Sequence, residues 1–230
     1  MKKLAAAMLL ACAGAQAADM VDLRYRDSEG GDAAYTTRIL VTERYLRMDD
    51  GNDDADFVLF DRKTGKVSNV IHAQKTLMSI QNKALPKNSA PAYRVEQRVA
   101  EVRPGTVRVQ VLADGKLCSE TVAAASLYPD AARALAEYKA ALAYTQWVTY
   151  RNTPAELRQD CDLVHHVWQT GMSFSRGLPI EERDYAGRVR QYVSGEKRKL
   201  DPALFKLPRN YEAFVLPDTS GTGAGKNSQP

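Results

Sequence analysis

Three groups of side chains are of types that could do chemistry. Asp49, Asp50, Asp53, Asp54 and Asp56 crowd one short stretch, and clustered carboxylate oxygens are what a hard cation such as calcium takes. The spacing departs from a helix-flanked calcium loop, because Ala55 stands where such a loop needs glycine and Asp61 where it needs a bidentate glutamate. A solvated hairpin tip is the better reading. Of the 3 histidines, His165 and His166 are neighbours and His72 is remote in sequence. On a strand adjacent side chains face opposite ways, so the pair is not expected to share a metal, and no metal or other cofactor is expected. Gly171-Met172-Ser173-Phe174-Ser175 has the serine of a hydrolase elbow but a serine where the fifth position needs glycine, with no helix expected behind it. No stretch carries a catalytic or nucleotide-binding signature, and the chain is read as noncatalytic.

The cysteines point to a compartment. Lys2 and Lys3 precede an apolar run from Leu4 to Ala13, followed by Ala15-Gln16-Ala17. This pattern is a secretory signal peptide, residues 1–17, with cleavage after Ala17. A second reading takes Leu9-Leu10-Ala11-Cys12 as a bacterial lipoprotein signal, which would anchor the protein through Cys12. The run is too short to span a bilayer and no long apolar segment follows, so no transmembrane span is expected. Export places the mature chain in the periplasm, where Cys118 and Cys161 form an even set and read as a disulfide. Two buried free thiols are the other reading. A bond closing 43 residues contributes up to about 4 kcal/mol in the chain-entropy model.

Two of the cations behind the formal charge of +4, Lys2 and Lys3, lie in the leader. That balance makes no electrostatic case for nucleic acid. Lys197-Arg198-Lys199 reads as a solvated strand end. Residues 18–217 are ample for one domain, and the glycine- and serine-rich residues 218–230 have nothing to bury and read as a disordered tail.

The elements that must position these groups are mostly strands. Val21, Leu23 and Tyr25 alternate with Asp22, Arg24 and Arg26, the period-two pattern of a strand with one wet face. Residues 35–42, 44–49, 57–61, 66–72 and 76–81 read as an antiparallel meander turned at Asp50-Gly51-Asn52 and Lys63-Thr64-Gly65. Strands at 93–102, 106–112 and 117–122 follow. A further strand carries Cys161, Leu163, His165 and Val167 in alternation with Asp162, Val164, His166 and Trp168, and two last strands surround Ala186-Gly187. From Pro129 to Trp147 the period changes: Ala131, Ala134, Leu135, Tyr138, Ala141, Leu142 and Thr145 form one helical stripe, broken by Arg133, Glu137 and Lys139 elsewhere around the helix. Pro129 and Asp130 suit its first turn. An alanine-rich helix is thin, so sheet can approach it closely or a space can remain beside it. The order predicts an α+β, mostly β fold: a strongly curved antiparallel sheet, an incomplete barrel, covered on its inner face by one main helix. Several strands are apolar on both faces, Ile39 and Val41 against Leu40 and Phe57 and Leu59 against Val58 and Phe60, so both sides need cover.

Tyr45-Leu46-Arg47-Met48-Asp49-Asp50, Lys75-Thr76-Leu77-Met78-Ser79-Ile80, Gly177-Leu178-Pro179-Ile180 and Phe205-Lys206-Leu207-Pro208 with Tyr211, behind an export leader, together resemble uncharacterised bacterial envelope proteins that look like distant relatives of the lipoprotein localisation factors LolA and LolB. The resemblance implies an incomplete barrel whose apolar concavity holds acyl chains, hence a lipid-like or amphiphilic ligand or a partner segment. Ile39, Val41, Leu46, Met48, Phe57 and Leu59 on the strands and Leu135, Tyr138 and Leu142 on the helix are the candidate ligand-binding residues. The competing expectation is a structural protein with a filled core that docks to another envelope protein through a strand edge or its tail.

Overall fold

A computed structural model describes residues 19–80, 82–87, 89–90 and 92–215. The leader, with cleavage after Ala17 or anchoring through Cys12, and the tail 218–230 lie outside the described residues. The chain passes through β1 (Asp19–Ser28), β2 (Tyr35–Val41), β3 (Tyr45–Asp49), β4 (Phe57–Asp61), β5 (Lys66–Ile71), β6 (Thr76–Ile80), β7 (Val95–Arg103), β8 (Thr106–Ala113) and β9 (Lys116–Ala124). Then come α1 (Pro129–Asn152), the single turn α2 (Asp160–Leu163), β10 (Leu178–Asp184), β11 (Val189–Lys199) and β12 (Glu212–Val215). All the strands join one curved, unclosed sheet in the order β12-β6-β5-β4-β3-β2-β1-β11-β10-β9-β8-β7. β1 sits mid-sheet, with Val21 opposite Val41 on one side and Lys197 on the other.

α1 lies on the inner face. Pro129 occupies its first turn, where a missing N–H costs nothing, and Asp130 faces the positive end of the helix dipole. Arg62 reaches across from the turn after β4 to both Asp130, at 3.0 Å, and Glu137, at 2.6 Å, fastening the first two turns to the sheet. Before the helix, Tyr128 takes a left-handed backbone conformation (φ 42°) and donates its hydroxyl to the Gly195 carbonyl at 2.6 Å. A Cβ at position 195 would lie 2.7 Å from the Tyr128 ring and from the Tyr192 hydroxyl and 2.8 Å from Leu23, so any larger residue there must displace these side chains.

The small side chains Ala131, Ala134 and Ala141 let the helix settle onto Leu23, Tyr25, Ile39, Val41, Leu46, Phe60 and Val67, all buried. Each such large apolar side chain removed from water contributes about 1.5–3 kcal/mol. The outer face is covered as the two-faced strands require. Met20, Leu40, Phe57, Leu59 and Val70 form a second cluster beneath Leu204, Phe205, Leu207 and Tyr211 from the C-terminal segment. Arg47 donates to the Leu204 carbonyl at 2.7 Å, and Phe205 stacks on Tyr45.

Four expectations are corrected. The sheet is not wholly antiparallel: β12 runs parallel to β6 along its edge, because the segment crosses the outer face to reach it instead of turning back through a hairpin. The outer face of β1 is not simply wet, since Asp22 is buried between Arg198 at 2.8 Å and Arg24 at 3.0 Å. The acidic stretch is solvated only in part. Asp49 is buried, held by Arg38 through two contacts of 2.7 and 2.8 Å and by Arg47 at 2.7 Å, while the exposed Asp53 pairs with Arg38 at 2.6 Å. Last, residues 160–168 are not a strand but α2 running into a π-helical turn, Val164–Trp168. Cys161, Val164 and Val167 are buried at three-residue intervals, and a reciprocal Gln159–Asp162 capping box starts the turn. The apparent alternation there coincides with helical spacing.

Candidate functional site

Past Leu135, α1 keeps Ala141 in the sealed core and turns another side toward β9, β10 and β11. Beneath this half, walled on one side by the π-helical turn, lies a cavity of about 220 Å³. Its apolar surface is Met48, Tyr138 and Leu142, and Gln146, Ser119, Thr121 and Thr170 add uncharged polar groups. The rest is charged or titratable: Lys139 from α1, His165 and His166 from the π-helical turn, Glu182, Arg183 and Asp184 from β10, and Arg188 and Arg190 across the hairpin.

Strand register brings the hairpin charges together. Glu182 stands opposite Arg190, and the Asp184 N–H donates to the Arg188 carbonyl at 3.1 Å, so four charges at two-residue spacing sit on one patch facing the helix. Their states differ. Arg190 is closed off by two 2.7 Å bonds to Asp27 and lies 5.3 Å from the Tyr25 ring centre. Burial raises the Asp27 carboxyl, but its bonds to Arg190 and Thr37 outweigh this and hold it below the usual range. Asp184 accepts from the Ala186 and Arg188 N–H groups, each at 3.0 Å. Lys139 is looser: its ammonium lies 3.9 Å from Glu182 and 5.1 Å from the Phe174 ring. Burial is the largest influence on Lys139 and, with Arg190 and Arg188, depresses its amine despite Glu182.

The imidazoles of His165 and His166 meet edge to face with ring centres 4.7 Å apart. The expectation that they point apart fails because they lie on a helical turn and not on a strand. His165 Nε2 is 3.9 Å from Asp184, outside hydrogen-bond range. Burial first, then Lys139, His166 and Arg188, push His165 well below the ordinary histidine value; burial and Lys139 depress His166 against the pull of Asp162 and Asp184. Both rings are therefore neutral at pH 7 and offer one donor and one acceptor each. Among the described residues no group of three or more His, Cys, Asp or Glu side chains is placed to hold a metal ion.

The candidate residues divide three ways. Ile39, Val41, Leu46 and Leu135 are buried in the inner core. Phe57 and Leu59 belong to the outer cluster. Met48, Tyr138 and Leu142 line the cavity. His72 is remote from it, with Nδ1 2.6 Å from the Tyr211 hydroxyl, and Ser173 lies in the turn that leads to β10. Cys118 and Cys161 are bonded, their Cα atoms 5.1 Å apart, which ties β9 to the turn that carries the histidines. Tyr185 reinforces the same junction through a hydrogen bond from its hydroxyl to Asp162. Sequence reasoning missed Lys139, Glu182, Asp184, Arg188 and Arg190 as site residues. For Glu182, Asp184, Arg188 and Arg190 the signal was the charge spacing on both arms of the Ala186-Gly187 hairpin, and for Lys139 the break it makes in the apolar pattern of α1.

No helix among the described residues is long and apolar enough to cross a membrane. No family model matches the chain, and no curated protein matches it significantly. Three solved structures overlap it at low identity. PNGF-II in one crystal form aligns at 12% identity with a TM-score of 0.43, over 86% of this chain and 31% of that one. A second crystal form of PNGF-II aligns at 12% identity and a TM-score of 0.36, over 86% and 32%. The chain thus spans about a third of the PNGF-II chain. A LolA superfamily protein from Nitrosomonas europaea is a distant structural neighbour, at 9% identity and a TM-score of 0.30 over 84% of this chain and 91% of that one.

Proposed function

We propose that the protein is a noncatalytic binding protein of the periplasm whose ligand is amphiphilic and sits in the cavity between α1, the π-helical turn and β9–β11. The observation that carries this reading is the mixed lining: Met48, Tyr138 and Leu142 offer apolar surface, and Lys139 beside them on α1, two neutral imidazoles and the charges of β10 and β11 offer polar groups. A ligand with one apolar and one polar end matches both at once. The periplasmic location rests on the leader at residues 1–17. Native mass spectrometry of gently purified protein with added lipids is expected to show a bound species; repeated absence counts against the reading.

A second reading, a structural protein that docks to another envelope component, is favoured by one observation: Ile39, Val41 and Leu46 are at most 2% exposed, so the space under the first half of α1 is filled. Crosslinking in cells that captures one specific partner, together with no lipid in the mass spectrum, is its expected signature.

A further inference from the structure

We propose that the cavity anchors an anionic group, a carboxylate or a phosphate, of its ligand between the Lys139 ammonium and the His165–His166 pair. This rests on the amphiphile reading and adds the chemistry of the polar end.

The first ground is what is left without a close partner. Arg190 is satisfied by Asp27, and Asp184 accepts two backbone N–H groups on Oδ1 while its Oδ2 faces His165 at 3.9 Å. Glu182, the carboxylate nearest Lys139, stands 3.9 Å from its ammonium, beyond hydrogen-bond reach. Both imidazoles line the cavity, and the carboxylate beside His165, Asp184, stands 3.9 Å from its Nε2, beyond hydrogen-bond reach. The Lys139 ammonium and the two imidazoles thus converge on one space, with Glu182 and Asp184 at ion-pair distances of 3.9 Å from Lys139 and His165 and not at hydrogen-bond distance.

The second ground is charge. Lys139, Arg183, Arg188 and Arg190 line the space with Glu182 and Asp184; Arg190 is neutralised by Asp27 and Arg188 lies 3.6 Å from Glu29, so Lys139 is the cation that acts most strongly on both imidazoles. The groups that face the imidazoles include Lys139 from α1, Asp184 from β10, Arg188 from the hairpin turn and Asp162 from α2. After burial, the cations among these and around Lys139 hold all three bases down, which is the mark of a positive local field. An anion seated there reverses that field and raises the proton affinity of each base. Binding therefore takes up protons and tightens as pH falls.

The third ground is the apolar surface. Met48, Tyr138 and Leu142 are within the same lining, so an alkyl stem attached to the anion has somewhere to lie.

The test uses the exported, disulfide-bonded chain and four probes that share a dodecyl stem: dodecanoate, dodecyl phosphate, dodecyltrimethylammonium and dodecyl maltoside, each below its micellar concentration. Isothermal titration calorimetry at pH 6 and pH 8, in two buffers of different ionisation enthalpy, reads affinity and proton uptake. One or both anions are expected to bind at least roughly tenfold more tightly than the cationic and neutral probes, with net proton uptake and a larger advantage at pH 6. The stronger of the two anions distinguishes a carboxylate ligand from a phosphate ligand. Lys139→Gln is expected to remove most of that advantage; should the variant misfold, the head-group series on the unaltered protein decides alone. Equal affinity for all four probes, or preference for the cation, overturns the anchor and leaves the amphiphile reading standing. Failure of every dodecyl probe to bind overturns both.

Discussion

Over its first two turns α1 sets Ala131, Ala134 and Leu135 against Leu23, Ile39, Val41 and Leu46, each at most 4% exposed; from Tyr138 onward one side of the helix still meets the core through Ala141 and the contact of Tyr138 with Phe60, while the other faces β9, β10 and β11 and leaves about 220 Å³ unfilled. The helix hardly changes in character between the two halves, since alanine recurs through both. The sheet changes. Under the first half β1, β2 and β3 present branched apolar side chains that interdigitate at interior density. Under the second half β10 and β11 present long charged side chains that pair with one another or with Asp27 and cannot fill the space beneath a helix. A thin helix is a seal or a roof according to what the facing strands carry.

This contrast can be broken experimentally. The largest effect is expected from Asp49→Asn, which leaves Arg38 and Arg47 buried without their shared counter-ion and should cost about 3–5 kcal/mol in urea unfolding; Lys139→Met in the open half should change stability by less than about 1 kcal/mol. If the two costs were equal, the charges of the cavity would be structural and not held in reserve for a ligand. Next, Leu46→Ala in the sealed half should cost about 2–5 kcal/mol, against less than about 1 kcal/mol for the half-buried Leu142→Ala, while dodecanoate affinity falls only in the second. Ala134→Leu overfills the sealed half and should cost about 1–3 kcal/mol by the same measurement. The smallest effect per group is the acid limb. Burial opposes the charged forms of Asp27 and Asp49, but Arg190 for the first and Arg38, Gly51 and Arg47 for the second win and hold both folded pKa values below the ordinary aspartate value. Their stabilisation is present above about pH 4 and lost as pH falls through the folded pKa values. Thermal unfolding that shows no loss of melting temperature between pH 5 and pH 2 contradicts this.

The sealed half was legible in the sequence and the open half was not. Tyr35 to Ile80 announces its strands through alternation and tight turns, and Pro129-Asp130 with its apolar stripe announces α1, because periodicity depends on which side chains must leave water. The pairing of Cys118 with Cys161 followed from an expected export and an even count. The strand assigned to residues 161–168 failed because Cys161 and Val167 fit an alternation with Leu163 as well as a three-residue spacing with Val164, and only the capping pair Gln159 and Asp162 separates them. Asp49 was read as solvated because nothing local marks it as the counter-ion of Arg38 and Arg47. β12 escaped notice for the same reason: Glu212–Val215 is too short to show a pattern and owes its place to a sheet edge more than a hundred residues earlier in the chain. The apolar ligand residues were chosen for their alternation, which identifies burial and so drew the choice toward core positions.

The bond between Cys118 and Cys161 makes a covalent ring of the chain that contains the whole of α1 and the exposed bend at Leu157, which is 66% accessible. A protease that nicks the bend therefore yields two pieces still tethered to each other, and the turn carrying His165 and His166 keeps its attachment to β9. Gel electrophoresis should return a single full-length band from the nicked molecule until a reductant is added, and two fragments afterwards. Damage at that bend opens the ring without releasing either piece.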